Sequence, residues 1–165
     1  MNTDLEQTTT PENENHQKKH FDGLNADVTD VVLKVFFEVY NELGGGFLES
    51  VYHKAFSMAL RQAGLMVADD VAVPEYFRGV AVGDFLADLT VNQRVLLELK
   101  AVSVLDSAHH HQILNYLRAT SFEVGLLLNF GPRPQFKRFL PDNNQKKIRA
   151  NPCESVVGSV GRQLR

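Results

Sequence analysis

The chain has 165 residues, 44% of them hydrophobic, with a net charge of -3 at pH 7 and a single cysteine. That length suits one domain with a real core; the lone Cys153 excludes an intramolecular disulfide, and no apolar run approaches the ~20 residues of a membrane span. The acidic balance gives nucleic acid no global attraction. The start of the chain lacks the basic flank and apolar run of a secretory signal, so the expected setting is the cytoplasm.

Residues 1–26 carry five acids and two bases with few β-branched or aromatic residues, which predicts a disordered polar tail. From residue 27 to 43, Val28, Val31, Val32, Val35, Phe36 and Val39 recur at helical spacing. The broad valine stripe makes this first helix a candidate homodimer surface. Gly44, Gly45 and Gly46 end it, and a second helix is expected over 48–63, stopped by Gly64. The period then shortens. Residues 66–77 read as a strand in which Pro74 argues for an edge or a bulge, and Arg78-Gly79 is a turn signal. Residues 80–91 and 94–102 are strands joined by Asn92-Gln93, a two-residue link that would pair Val91 with Arg94 in a tight antiparallel hairpin. A helix follows at 106–120, with Asp106 or Ser107 as its cap. The continuous apolar run at 123–130 is typical of a strand buried on both faces, and 135–140 is a candidate edge strand. Residues 141–165 carry two acids and five bases and few apolar residues, a poorly ordered tail of the kind that can hold phosphate. The order predicts one α/β domain, 27–140, built on a mixed sheet covered by helices.

The strand Arg94-Val95-Leu96-Leu97-Glu98-Leu99-Lys100-Ala101 contains a carboxylate and an ammonium where burial should be deepest. Such charges are costly unless paired or metal-bound. Glu98 and Lys100 are two apart and share a face. Counting back from the Asn92-Gln93 link sets Asp88 opposite Leu97, and a one-residue offset brings it beside Glu98. Two carboxylates on one face repel unless a cation lies between them. Mg²⁺ or Mn²⁺ suits oxygen ligands and keeps several waters, so Asp88, Glu98 and the backbone carbonyl of Leu99 suffice. A metal held there can orient water and stabilise charge on a phosphoryl group, with Lys100 neutralising the charge that develops. The competing reading is an ordinary ion pair on a solvated face.

Asp88, nine intervening residues and Glu98-Leu99-Lys100 resemble the PD-(D/E)xK nuclease signature, with Ala87 at its proline. Residues 28–140 are similar to the small bacterial GxxExxY proteins of that superfamily, whose naming motif stands here as Gly46-Phe47-Leu48-Glu49-Ser50-Val51-Tyr52. The resemblance implies a helix–strand–strand–strand–helix–strand core with an extra N-terminal helix. It implies Glu49 as a further metal carboxylate, although acids in a first helical turn are favoured by the dipole alone. Tyr52 and Gly46 also read as structural. Gln112 and Tyr116 resemble the Q-x-x-x-Y element of RecB-like nucleases and share a helical stripe with His109; they would orient substrate or site. Ile113 and Leu117 beside them would anchor the helix. His109, His110 and His111 point in different directions and cannot converge on one ion.

The expected function is therefore a metal-dependent nuclease acting on DNA, with RNA as the alternative substrate. Two other readings compete: a nuclease fold kept for nucleic-acid or protein binding without turnover, and a structural interaction protein that binds no metal. Arg78, Arg94, Arg118, Lys137 and Arg138 are scattered in sequence and define no basic face.

Overall fold

The computed structural model describes residues 23–141, so the tails expected at 1–26 and 141–165 lie almost wholly outside the described residues. The elements are α1 (Ala26–Leu43), α2 (Glu49–Gln62), β1 (Val67–Phe77), β2 (Val80–Val91), β3 (Val95–Lys100), α3 (Ser107–Ala119), β4 (Val124–Asn129) and β5 (Gln135–Phe139). The strands form one sheet in the order β1-β2-β3-β4-β5. All neighbours are antiparallel except β3 and β4, which are parallel. A parallel pair needs a crossover, and α3 supplies it. This is the expected mixed sheet flanked by helices. Among the described residues no helix is long and apolar enough to cross a membrane.

Strand alternation sorts the core into two layers. Val95, Leu97 and Leu99 of β3 and Val124, Leu126 and Leu128 of β4 pack under α1 and α2. Leu96 and Leu127 face the other way, under α3. The valines at 28, 32, 35 and 39 are buried in the first layer, so the stripe that suggested a dimer surface is used inside the chain. On the opposite layer Ile113 and Leu117 anchor α3 as expected. They press on Gly125, where an added Cβ would sit 3.0 Å from each.

Both turns of the β1-β2-β3 meander use left-handed backbone. Arg78 and Gly79 have φ of 51° and 80°, which fits the primed turns that hairpins favour. Pro74 is tolerated because β1 is an edge strand, and the register also shifts just after it, between Glu75 and Tyr76.

The second turn corrects the expected register. Val91 pairs with Val95, not Arg94, so the link is the three residues Asn92–Arg94. Arg94 is drawn out of the ladder by its side chain. Its guanidinium bonds Asn25 at 2.7 Å and both carboxylate oxygens of Asp27 at 2.9 and 3.1 Å. Asn92 in turn bonds the Met66 backbone through its own N–H and side chain. Arg94 thus ties the start of α1 to the sheet, and the extra residue supplies the offset that brings Asp88 toward Glu98.

Candidate active site

The candidate site lies where β2 leaves β3. Their ladder covers only Val91↔Val95, Thr90↔Leu96 and Leu89↔Leu97. One residue further, the Asp88 carboxylate takes the place of a strand partner: its Oδ2 accepts the Leu99 N–H at 2.6 Å. The N–H and C=O of one strand residue point to the same edge, so the Leu99 carbonyl also faces the gap that β2 has opened.

Glu98 is almost completely buried, with a 1% exposed side chain. Its Oε1 accepts from the Lys100 ammonium at 2.7 Å. Its Oε2 is buried with no hydrogen-bond partner. Burial raises the Glu98 pKa to about 7, the neighbouring Asp88 charge adds to the rise, and the Lys100 bond opposes it. Lys100 is pulled down by burial, but its bond to Glu98 and the charges of Glu98, Glu49 and Asp88 outweigh that and hold the ammonium above its ordinary value. It stays a cation. A solvated-face ion pair does not describe this arrangement, since Lys100 is 13% exposed and Glu98 less.

Glu49 is exposed at the first position of α2, and its charge acts on both Glu98 and Lys100. Tyr52, one turn on, is fully buried and stacks on Phe130 at 4.6 Å. Its hydroxyl donates to the Gly44 carbonyl at 2.6 Å and accepts the Phe47 N–H at 3.3 Å. Tyr52 therefore pins the glycine loop from inside and sets where α2, and so Glu49, begins. Gly46, with φ of 102°, makes the turn into that helix.

From α3, Gln112 donates to the Tyr116 hydroxyl at 2.9 Å, and that hydroxyl donates to the Leu86 carbonyl at 3.2 Å. Burial raises the Tyr116 pKa against the opposing Gln112 bond, and the charges of Glu98 and Asp88 add to the rise. The Gln112-Tyr116 pair is thus within the field of the carboxylates and holds β2 two residues before Asp88. His109, on the same stripe, does not join them. Its Nδ1 accepts the Asp106 N–H at 3.1 Å, and Asp106 accepts the Ala108 and His109 N–H groups. This is a capping box, and it spends the ring on the helix start. His110 lies beside Phe139, and His111 is exposed.

Two further residues shape the site without a motif to announce them. Asn129, buried in β4, takes the Val102 N–H at 3.0 Å and donates to the Val102 carbonyl at 2.9 Å, clamping the chain two residues after Lys100. His53, one turn after Glu49 on α2, has its Nε2 3.0 Å from the Asp88 carbonyl. A polar residue in a buried apolar run signals the first, and the four-residue spacing from Glu49 signals the second. Neither signal identifies a partner.

Among the described residues no group of three or more His, Cys, Asp or Glu side chains forms a ready ion cage. The residues nevertheless fit a hard divalent cation. A buried carboxylate with one bare oxygen, a second carboxylate beside it and a backbone carbonyl at the same gap are the oxygen donors that Mg²⁺ or Mn²⁺ takes while keeping water. Among the described residues, three arginines are engaged elsewhere: Arg94 pairs with Asp27, Arg61 with Asp69, and Arg138 donates to the Leu24 carbonyl.

A family model described as the PD-(D/E)XK nuclease superfamily matches residues 26–139. No curated protein matches the chain. The crystal structure of SSO0001 is similar over 73% of this chain and 69% of that one, at 19% identity and a TM-score of 0.48.

Proposed function

Since the chain belongs to the PD-(D/E)XK nuclease superfamily, we propose that it is a Mg²⁺- or Mn²⁺-dependent nuclease that hydrolyses phosphodiester bonds of DNA, in the cytoplasm. Gly46, Glu49 and Tyr52 support its placement in the GxxExxY branch. The observation that carries the reading is the bare, buried Oε2 of Glu98 beside Asp88.

Asp88, Glu98 and the Leu99 carbonyl are the metal ligands in this reading, with Glu49 able to join from the end of α2. A bound divalent ion supplies Lewis-acid stabilisation of the phosphoryl oxygens and a more acidic water. Lys100, held charged beside Glu98, steadies the negative charge that grows on the phosphate and helps orient the attacking water. The reaction is in-line attack on phosphorus, in which a P–O bond to water forms, the P–O bond to the leaving sugar oxygen breaks, and that oxygen takes a proton. Gln112 and Tyr116 orient the site from α3 by holding β2 at Leu86. A homodimer through the first helix would have to use its outer side, where Lys34 lies near Glu38, because the valine stripe is buried.

The second reading, a nuclease fold that binds without turnover, is favoured by the scattered basic residues. Incubation with Mn²⁺ and single- and double-stranded DNA decides between them. Wild type is expected to bind Mn²⁺ and cleave. Glu98→Gln loses both, and Lys100→Met keeps the metal but loses at least about a hundredfold in rate. A wild type that neither binds Mn²⁺ nor cleaves sinks the nuclease reading.

A further inference from the structure

We propose that His53 is the positioning residue of this site: it fixes the backbone of Asp88, and thereby aims the Asp88 carboxylate. The inference rests on the reading of Asp88 as a metal ligand.

Asp88 lies at a gap in two ladders at once. On the β3 side, pairing stops at Leu89↔Leu97. On the β1 side, the register passes from Asp69↔Leu89 to Val71↔Ala87, with no pair at Asp70, whose φ is 49°. Neither neighbouring strand therefore pairs with the Asp88 backbone. Its flanking residues remain paired to β1, but the Asp88 carbonyl itself is left without a strand partner, and an acidic ligand must be held to within about half an ångström to serve a metal. Yet the Asp88 carboxylate makes a short, directed bond to the Leu99 N–H. Something else must hold its backbone.

His53 is placed to do so. Its Nε2 lies 3.0 Å from the Asp88 carbonyl. A carbonyl oxygen only accepts, so Nε2 carries the proton and donates. The same nitrogen is 3.9 Å from Asp70 Oδ1. The imidazole side chain is 18% exposed, so its bond faces limited competition from water. Its own base is rigid. Tyr52 and Phe56 bury α2 in the core on one side. One turn on, Ser57 donates to Asp69 at 2.6 Å and Arg61 donates to Ser57 and Asp69. The helix therefore grips both sides of the gap, β1 through Asp69 and β2 through Asp88. The His53 ring substitutes for the missing strand at the one position where the site needs an open edge.

The test uses the full chain as wild type, His53→Ala, His53→Gln and His53→Phe. Amide hydrogen exchange is measured without metal, and Mn²⁺ affinity by calorimetry. Loss of one hydrogen bond predicts about tenfold faster exchange at the Leu99 N–H in the Ala and Phe variants, with Leu97 unchanged, and about tenfold weaker Mn²⁺ binding. Gln, which restores an N–H donor, returns both to within about threefold of wild type. The Phe variant keeps the ring volume and serves if the Ala variant does not fold. Unchanged Leu99 exchange, a uniform acceleration of all strand amides, or no rescue by Gln overturns the proposal. A wild type that binds no Mn²⁺ sinks the metal reading instead, and Leu99 exchange still decides whether His53 positions Asp88.

Discussion

In the proposed nuclease reading, the chemistry rests on one unbalanced side chain, Glu98. One oxygen is bonded to Lys100, the other is buried and bare. A proton or a cation completes it, and the two compete. The consequence for pH has a definite sign. The folded pKa of about 7 lies above the ordinary value of 4.5, so the metal-free folded state holds a proton that the unfolded chain releases. The stability this contributes is fully present below about pH 4.5 and is lost as pH rises through about 7. Denaturant unfolding of metal-free wild type against Glu98→Gln should show wild type losing ground between those limits, by a total on the order of 3 kcal/mol. A pH-independent difference would contradict it. Mn²⁺ affinity should climb up to about tenfold per pH unit below 7 and level off above, as the competing proton leaves.

At the scale of elements, the site depends on where strands stop. β2 peels away after Leu89, and β3 ends at Lys100, just before Asn129 clamps Val102. The clamp requires close backbone approach. A Cβ on Gly131 would lie 2.0 Å from the Val102 carbonyl oxygen and 2.9 Å from the Asn129 amide. Gly131→Ala should therefore cost about 2 kcal/mol or more in urea unfolding, and an unchanged midpoint would show that this approach is not maintained. The elements themselves were legible in sequence. The valines of α1 repeat at 3.6 residues and those strands alternate or run apolar, because each buries one stripe or two faces. The link after β2 was not legible at the level of one residue, since the extra residue arises from Arg94 reaching Asn25 and Asp27, more than sixty residues away.

At the scale of the molecule, α2, β2 and β3 bring Glu49, Asp88, Glu98 and Lys100 close enough for their charges to act on one another, at one candidate metal site. Filling it should stabilise the whole fold. At a hundredfold excess over its Kd, Mn²⁺ should add about 2.7 kcal/mol to wild type, seen as a rise of several degrees in Tm that EDTA reverses. Glu98→Gln should show no such rise, and an equal rise in that variant would place the metal elsewhere.

Asp88, Glu98 and Lys100 could be singled out from sequence because charge inside an apolar strand is expensive, and that cost is visible in one dimension. Glu49, Gln112 and Tyr116 needed motifs, since an exposed helical acid and a helical tyrosine have ordinary explanations. The sequence by itself determined the elements, their order and the charged strand, because periodicity and burial cost are local properties. Tertiary structure decided the rest. It assigned Tyr52 to the glycine loop, brought Asn129 to Val102 and set His53 against the Asp88 carbonyl. Each of these is a hydrogen bond whose partner is fixed by how helices and strands pack, and a residue's type does not reveal its partner until the chain has closed.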